Sequence, residues 1–264
     1  LERPPHEGSE DEEGDSGDLR RGLSRTRKML IEREIEVNGS LFQAVISDDR
    51  QALQAAYAAG RAVVGLWQRK AEKEREAGGA AARSETEEIR DLSPALYLVE
   101  RLEDADEELL KKAVCRRFSM PWTIAETKRL LIREFKASDV LPDEEEEFRT
   151  PELLSSYIAC QYRFYESGLW ALIEKATGKI VGKAGITDGE LGYHIYKEYR
   201  RRGLAEEACR AIIRREKEEG RTCVRLQARA DNMASRRLAE KLGFVQTEEE
   251  ICSIGSCILY VLSI

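Results

Sequence analysis

The sequence predicts an α/β protein built in two parts, on three observations. Segments typical of strands and of helices alternate along most of the 264 residues. Residues 68–92 interrupt this pattern with Lys, Glu, Arg, Ala and Gly, which predicts a solvated helix followed by a flexible linker. A break around Pro121 then separates a small α/β domain at 39–120 from a larger domain at 123–264.

The bulk composition argues against several classes of protein. Charged residues make up 35% of the chain and hydrophobic residues 42%, which is enough for a core. The net charge of −7 argues against binding nucleic acid through its phosphates, and it is compatible with a cationic amine substrate. Six cysteines without a CxxC pair, with only two histidines, predict no metal site, and we expect several of these thiols to be reduced and buried. The sequence has no apolar run of membrane-spanning length and no visible signal peptide, so we expect a cytoplasmic protein without membrane partners.

The N-terminal part begins with a polar, acidic stretch that cannot bury enough apolar surface to offset the entropy of ordering. We therefore expect residues 1–38 to be disordered, with a frayed helix as the alternative over Arg20–Arg33. A strand at Leu41–Ile46, a helix ending at Ala59 and a strand at Ala62–Trp67 follow. Their short spacing predicts a parallel β-α-β unit.

An acidic pair, Asp48-Asp49, follows the first of these strands. Ligands of parallel sheets bind at the carboxyl ends of strands, which gives the pair a functional interpretation. Capping of the next helix by Ser47 or Asp48 is the interpretation that we favour, because Asp is a preferred cap.

The remaining elements follow from periodicity, turn residues and caps. Ahead of the boundary, the sequence predicts a strand at Ala95–Val99 and an amphipathic helix at Asp104–Phe118. Beyond it, the predicted strands are Leu130–Phe135, Leu169–Glu174, Lys179–Ile186, Glu190–Tyr196, Thr222–Ala230, Phe244–Glu249 and Cys257–Val261. The predicted helices are Pro151–Tyr165, Gly203–Glu219 and Ser235–Leu242.

One strand-to-helix joint, Arg200 to Ala205, has the features of a phosphate-binding loop. The first amides of a helix lack intrahelical partners and carry the positive end of the helix dipole, so they attract anions. Gly203 permits close approach of a diphosphate to the backbone, and the three arginines add attraction. Taken alone, the signal is weak, because an Arg-rich helix start is often only a solvated surface.

A second segment runs from Asn232 to Phe244. Asn232 follows an alternating strand, Ser235 and Leu238 share a helical face, and Gly243 can end the helix in a left-handed conformation. By itself, this segment is also compatible with an ordinary strand–helix–strand joint.

Together the two segments resemble the GNAT superfamily of acetyltransferases. The run Arg200-x-x-Gly203-x-Ala205 is similar to the family's pyrophosphate loop. The run Asn232-x-x-Ser235-x-x-Leu238-x-x-Lys241-x-Gly243-Phe244 is similar to a cofactor motif of the branch that acetylates ribosomal-protein N-termini. Residues 126–134 and 190–193 resemble that branch's opening and central strands, and all four segments follow in family order over about residues 123–264.

The resemblance implies a GNAT fold, a mixed and mostly antiparallel twisted sheet flanked by helices, preceded here by the small β-α-β domain. It implies that acetyl-CoA lies where the fourth and fifth strands splay apart. The implied binding residues are Tyr193, His194 and Ile195 along the pantetheine; Arg200, Arg201, Arg202, Gly203, Leu204, Ala205 and Glu206 at the diphosphate; and Asn232 and Ser235 near the sulfur.

Two departures from the family pattern bear on activity. Many relatives have a Tyr at the position of Ala239 that protonates the leaving thiolate, and this acid is absent here. The stretch between Asp139 and Pro151 is short, so a helix usual on the substrate side is expected to be missing.

Acetyl transfer to an amine requires a base for the amine proton and help for the leaving thiolate. Glu190, at the mouth of the predicted cofactor strand, is the first candidate base, and an exposed strand start is its equal alternative. His194 is a further candidate base, although strand alternation can turn it into the sheet. The side chain of Tyr193 belongs either to the hydrophobic core or to a wall of the substrate site, and we favour the core. Ser235 is the candidate donor to the thiolate, or else a local hydrogen-bonding group.

Three functions from different classes follow. The first is an N-acetyltransferase that moves acetyl from acetyl-CoA to a primary amine, either a protein N-terminus or a small molecule. The second is a coenzyme A-binding sensor or pseudoenzyme, and the third is a nucleic-acid-binding module using Arg200–Arg202 and Arg214-Arg215. A homodimer is a further expectation, and the acceptor amine is left open.

Overall fold

The structure, a computed structural model, describes residues 28–67, 91–143, 145–252 and 255–264. Within these residues the chain forms a four-stranded and an eight-stranded β-sheet with five α-helices. Residues 1–27 and nearly all of the helix and linker expected at 68–92 lie outside the described residues.

The N-terminal part forms the four-stranded sheet, in the order β1-β2-β3-β4. Its elements are β1 (Leu30–Val37), β2 (Ser40–Ser47), α1 (Arg50–Ala58), β3 (Ala62–Leu66), β4 (Tyr97–Val99), a short 3-10 helix (Leu102–Asp104) and α2 (Glu107–Arg117). Strands β2 and β3 are parallel, so the predicted β-α-β unit is present. Helix α2 covers this sheet with Leu110, Ala113 and Val114, which join the same buried cluster as residues of all four strands.

The first strand corrects the expectation of disorder up to residue 38. Residues 30–37 are neither disordered nor helical, because Leu30–Val37 pair antiparallel with β2. Ile35 and Val37 are buried, and the charged residues between the apolar ones obscured this alternation in the sequence. The N-terminal unit therefore begins about ten residues earlier than predicted.

The acidic pair after β2 has structural partners. Asp49 caps α1 by accepting a hydrogen bond from the Ala52 amide, so the cap is Asp49 rather than Ser47 or Asp48. Asp48 Oδ1 accepts a hydrogen bond from Met29 N at 2.7 Å, and Ser47 Oγ donates to Met29 O at 2.6 Å. A cap is therefore present one residue later than predicted, at Asp49, whereas Ser47 and Asp48 bind the backbone of Met29.

The C-terminal part forms the eight-stranded sheet, in the order β11-β12-β10-β9-β8-β7-β6-β5. Its strands are β5 (Thr123–Glu126), β6 (Leu130–Arg133), β7 (Gly168–Glu174), β8 (Ile180–Thr187), β9 (Glu190–Ile195), β10 (Cys223–Arg229), β11 (Val245–Cys252) and β12 (Gly255–Ser263). Neighbouring strands are antiparallel except β9 and β10. The predicted mixed, mostly antiparallel sheet is confirmed; strand β5 was missed.

Helices cover both faces of this sheet. They are α3 (Pro151–Tyr157), a π-helix (Ile158–Tyr165), a 3-10 helix (Lys197–Tyr199), α4 (Leu204–Glu218) and α5 (Met233–Leu242). The predicted helix over Pro151–Tyr165 thus changes to π geometry at Ile158. Helix α4 packs its buried stripe against β8, β9 and β5, and the segment from Phe135 through the π-helix covers the opposite face.

A buried ion pair joins the two parts of the chain. Arg116 on α2 donates two hydrogen bonds of 2.7 Å to the carboxylate of Glu134, and both side chains are about 6% exposed. Arg215 on α4 also reaches Glu108 on α2 at 3.0 Å. The boundary that we place between 120 and 123 therefore lies within a region of close contact.

The described residues also bear on metal ions, membrane-spanning helices and the state of the cysteines. Among them, no group of three or more His, Cys, Asp or Glu is placed to hold a metal ion. None of the helices in these segments is long and apolar enough to span a bilayer. Cys115 and Cys209 are buried free thiols as expected, whereas Cys160 and Cys223 are exposed, and Cys257 is disulfide-bonded rather than reduced.

Candidate active site

The sheet opens between its two parallel strands. Strands β9 and β10 share a single register pair, Glu190 with Arg225, next to a 2.9 Å hydrogen bond from Arg225 N to Gly189 O. Beyond this pair, β9 remains paired with β8 and β10 remains paired with β12, but β9 and β10 no longer pair with each other. A gap therefore separates β9 from β10 on the side of Ile195. This is the splay that the resemblance places between the fourth and fifth strands.

The hydrogen-bonding direction of β9 decides which backbone groups face the gap. Tyr196 N donates to Val181 O of the segment paired with β9, and direction alternates along an antiparallel strand. Tyr193 and Ile195 therefore face the gap, whereas the backbone of His194 faces β8. The expectation that all three line the gap is corrected for His194.

The loop after β9 leads into an uncapped helix. Gly203 is the N-cap of α4 at φ +75°, and Arg201 also has a positive φ of 61°. The other described α-helices are each capped by a side chain, from Asp49, Asp106, Thr150 or Asn232. Gly203 has no side chain, so the N-cap position offers no side-chain acceptor to the first amides of α4.

The three arginines of this loop have different partners. Arg200 Nε donates to Ile195 O at 2.8 Å, so this side chain folds back on β9. Arg202 forms an ion pair with Glu174. Arg201 is exposed, and no ion pair joins it to the described part of the chain. The loop therefore offers one available arginine, where the sequence predicted three.

Arg129, which the sequence analysis did not single out, supports this loop. Its Nη1 donates to Arg202 O at 2.7 Å, and its Nε donates to Glu207. A Cβ placed on Gly203 would lie 3.5 Å from Arg129 Nη2. The signal in the sequence was a basic residue in the β5–β6 turn, which only the fold brings next to α4.

Two carboxylates in the first turn of α4 are neutralised by neighbours. A hydrogen bond from Lys241 holds the pKa of Glu206 below its ordinary value, with help from Arg210. Burial acts to raise the pKa of Glu207, but hydrogen bonds from Thr127 and Arg129 lower it overall. Both carboxylates are thus paired with neighbouring cations.

Helix α5 brings a hydroxyl to the same side of the gap. Asn232 caps α5 by accepting from Ser235 N at 3.1 Å. Tyr193 OH donates to Ser235 Oγ at 2.9 Å, and burial raises the pKa of Tyr193. Ala239 is fully buried in the core, so the position that is Tyr in many relatives presents no polar group.

The opposite face of β9 carries a buried ionic cluster. Strand alternation places Glu190 and His194 on this face, with Lys183 beside His194 in the register. Lys183 Nζ pairs with Glu145 at 2.8 Å and with Glu147, and Glu145 also accepts from Tyr196 OH at 3.0 Å. Glu145 and Lys183 are buried, so the short stretch after Asp139 closes over this face.

The open parallel pair and the uncapped helix beside it form the candidate site of this α/β fold. A sequence profile described as an acetyltransferase (GNAT) domain matches residues 96–245, more than half of the chain. The chain therefore belongs to the GNAT acetyltransferase family, whose enzymes use acetyl-CoA as the acetyl donor. The matched region begins upstream of residue 123 and includes α2.

Solved acetyltransferase structures are similar to about half of this chain. The ribosomal-protein-S5-alanine acetyltransferase from Vibrio fischeri is 18% identical, with 53% of this chain and 95% of that chain covered at a TM-score of 0.45. A GNAT-family acetyltransferase from Bacillus anthracis is 19% identical (54% and 98% covered, TM-score 0.46). An acetyltransferase from Agrobacterium tumefaciens is 20% identical (53% and 94% covered, TM-score 0.44). No curated protein matches the sequence significantly.

Proposed function

We propose that this chain transfers the acetyl group of acetyl-CoA to a primary amine through the gap between β9 and β10. The observation that carries the proposal is the uncapped start of α4 beside a parallel strand pair joined at one position. Free amides at a helix start favour a diphosphate, and an open strand edge favours an extended amide-bearing chain. Coenzyme A has both chemical features.

The residues of the gap fit this co-substrate. The backbone of Tyr193 and the amide of Ile195 would pair with the pantetheine, since Ile195 O already accepts from Arg200. The amides of Leu204, Ala205 and Glu206 would hold the diphosphate with Arg201 nearby. Gly203 maintains the left-handed turn that leads into these amides. His194, Arg200 and Arg202 act on the geometry of the loop and strand rather than on the ligand.

Bound acetyl-CoA would supply a thioester whose acyl carbon accepts an amine while the thiolate leaves. Ser235 Oγ accepts its hydrogen bond from Tyr193, which leaves the serine's own hydrogen free to be donated into the gap. Ser235 is thus the proposed proton donor, and Asn232 fixes its helix turn. Glu190 is the proposed base for the amine proton.

The acid and the base lie on opposite faces of β9. Tyr193 points toward α4 and α5, and Glu190 points toward the face that holds Glu145 and Glu147. The amine would lose its proton to Glu190 at one face. The leaving thiolate would gain a proton from Ser235 at the other, and the serine oxygen would recover its proton from solvent. The half-exposed carboxylate of Glu147 adds negative charge on the Glu190 face, which suits a cationic amine.

The acceptor that we propose is a primary amine, either a protein N-terminus or a small-molecule amine, in a cytoplasmic setting. The experiment incubates the full chain with labelled acetyl-CoA and a panel of a peptide N-terminus, free lysine, a polyamine and an aminoglycoside. Label transfer with matching release of coenzyme A is expected for at least one acceptor. The Ser235→Ala variant should transfer the label to that acceptor more slowly than the parent. Binding of acetyl-CoA without transfer to any amine would instead favour the coenzyme A sensor, for which the buried Ala239 is the specific observation.

A further inference from the structure

Strand β9 contains a glycine, Gly192, two residues after the candidate base Glu190. A glycine inside a strand is unfavourable relative to alanine, because it loses more conformational freedom on folding and has no side chain to pack. Such a glycine often marks a bulge, or a place where a ligand or another stretch of backbone approaches closely. The register between β8 and β9 is unbroken across Gly192, so a bulge does not explain it.

The backbone does not require glycine at position 192. Gly192 lacks the left-handed φ that Gly189 and Gly203 adopt. A Cβ placed on Gly192 would meet the tip of a flexible side chain, Leu169 Cδ2, at 3.2 Å. Apart from its chain neighbours, no other described residue has an atom within 4 Å of that point. A methyl group would therefore fit after a small movement of Leu169.

Two glycines of the neighbouring strand β8 have a structural reason that Gly192 lacks. A Cβ on Gly182 would collide with the carbonyl oxygen of His194, and a Cβ on Gly185 would collide with that of Gly168. These two glycines let neighbouring strands approach each other. Since the described backbone makes no such approach to Gly192, the space above it indicates a ligand.

This space lies on the face of β9 that carries Glu190. Alternation along β9 places Glu190, Gly192 and His194 on one face, and the register adds Gly185 of β8 and Leu169 of β7. Glu190, Gly192 and Leu169 are each partly exposed. The face thus has a floor of two glycines beside Leu169, and solvent reaches it.

Acetyl-CoA would approach β9 from elsewhere. Its pantetheine would pair with the backbone of Tyr193 at the strand edge, and its diphosphate would lie at the start of α4, which packs on the face to which Tyr193 points. The Cα atoms of Glu190 and Gly192 are about 7 Å apart in an extended strand. An amine above Gly192 would therefore lie between the carboxylate of Glu190 and the thioester.

We propose that Gly192 determines which amines can serve as acceptors, by leaving room for the carbon that carries the reacting nitrogen. The acceptor would cross the glycine floor with this carbon against Gly192 and its nitrogen directed at the acyl carbon, while Glu190 takes up the proton. This assignment rests on the proposed acetyl transfer and adds the face from which the acceptor arrives. Gly192 would then act on the acceptor and leave acetyl-CoA unaffected.

The test compares the full-length parent with Gly192→Ala, which adds one methyl group to the floor. The acceptor is the amine that the parent acetylates fastest among a peptide N-terminus, free lysine, a polyamine and an aminoglycoside. We expect kcat/KM for this amine to fall by about 10²-fold, the loss typical of a misplacement of about 1 Å. Acetyl-CoA affinity, measured by calorimetry, should be unchanged.

Thermal unfolding separates this role from a structural one. Gly192→Ala should have a Tm equal to or above that of the parent, because alanine replaces glycine inside a strand. The control is Ser40→Thr, which adds one methyl group at an exposed position of β2 and should match the parent in kcat/KM.

Four results would overturn the assignment. Parental kcat/KM in Gly192→Ala would show that the acceptor does not contact Gly192. Acetyl-CoA affinity reduced as much as kcat/KM would place the cofactor there instead, and a Tm well below the parent's would make the glycine structural. A parent that binds acetyl-CoA but acetylates no amine of the panel would overturn the proposed function, and this assignment with it.

Discussion

The hydroxyl of Tyr193 donates a 2.9 Å hydrogen bond to Ser235 Oγ and so links strand β9 to the first turn of α5. The tyrosine is partly buried, and burial raises its pKa, so it remains a hydrogen-bond donor throughout the neutral range. Its donation fixes the orientation of the serine hydroxyl. The resemblance implied a role for Tyr193 through its backbone, and the sequence favoured a core position for its side chain; the contact with Ser235 was not predicted.

Removing the two hydroxyls singly and together should reveal their coupling. Ser235→Ala removes the proposed donor and should lower kcat by about 10²-fold or more, the lower range for loss of a general acid. Tyr193→Phe removes only the orienting bond, worth about 0.5–1.5 kcal/mol, and should lower kcat about threefold to tenfold. The double variant should be no slower than Ser235→Ala. Additive losses in steady-state kinetics would show that Tyr193 does not act through Ser235.

A pair of glycine variants on one helix separates backbone strain from loss of the diphosphate site. Gly203 precedes α4 at φ +75° and Gly220 follows it at φ +86°, so alanine at either costs roughly 1–2 kcal/mol of strain. Gly203→Ala should also weaken acetyl-CoA binding by about tenfold, the loss of about one charge-assisted hydrogen bond. Gly220→Ala should show a similar drop in Tm with unchanged affinity. If calorimetry gave Gly203→Ala and Gly220→Ala the same affinity for acetyl-CoA, the role given to this loop would be contradicted.

Gly203→Val would be less informative than Gly203→Ala. The left-handed φ at Gly203 disfavours any side chain, and β-branched residues most of all, whether or not a ligand is present. A loss of binding in that variant would therefore mix strain with ligand exclusion. The alanine pair avoids this ambiguity.

Local patterns of residues predicted most of the fold and the segments that form the candidate site. The loop at Gly203, the end of α5 at Gly243 and the alternation of β10 were readable because turn residues, caps and period-two patterns act over a few positions. Strand β1 was missed because Glu and Arg between its apolar residues resemble a disordered stretch. Its pairing with β2 supplies the burial that its own composition does not indicate.

The rest of the site depends on contacts between distant segments. Arg129 lies 73 residues before Arg202, and their hydrogen bond exists only because the β5–β6 turn packs on α4. The sequence did not reveal the partners of Arg200 and Arg202 either, so three arginines were expected to be available to the phosphates. In the structure Arg200 and Arg202 have other partners, and Arg201 is the arginine proposed for this role. The Arg116–Glu134 pair likewise joins segments that the sequence assigned to separate domains.

The candidate base is tested by an isosteric change. Glu190→Gln keeps the side-chain size but cannot accept a proton, so kcat should fall by about 10²–10⁴-fold while acetyl-CoA affinity is unchanged. Glu218→Gln, at an exposed carboxylate in the last turn of α4, is the matched control and should behave as the parent. A Glu190→Gln enzyme with parental turnover would leave Glu190 as an ordinary first residue of β9.

The buried carboxylate of Glu145 should make stability depend on acid. Burial acts to raise its pKa, but the Lys183 ammonium and the Tyr196 hydroxyl lower it below the ordinary value of 4.5. A lowered folded-state pKa stabilises the fold above pH 4.5, and this contribution is lost as the pH falls through the folded value. Glu145→Gln should therefore be less stable than the parent at pH 7, by about 1–3 kcal/mol for a lost buried charged acceptor, because Glu147 still pairs with Lys183.

The difference in unfolding free energy between parent and Glu145→Gln should shrink as the pH is lowered below 4.5. Denaturant titrations at several pH values measure it, with Glu146→Gln, an exposed neighbour, as the control. A difference that stays constant between pH 7 and pH 3 would mean that the Glu145 carboxylate does not titrate differently in the folded chain.

The central claim is that acetyl-CoA lies between β9 and β10 with its diphosphate at the start of α4, and amide hydrogen exchange of the full chain tests it most directly. At saturating acetyl-CoA we expect slower exchange in peptides that contain Tyr193 and Ile195 and in those that contain Leu204–Glu206. Peptides from β1 and β2 should be unchanged. Binding that protects other segments and leaves both of these unaffected, or no protection at all, would contradict the account.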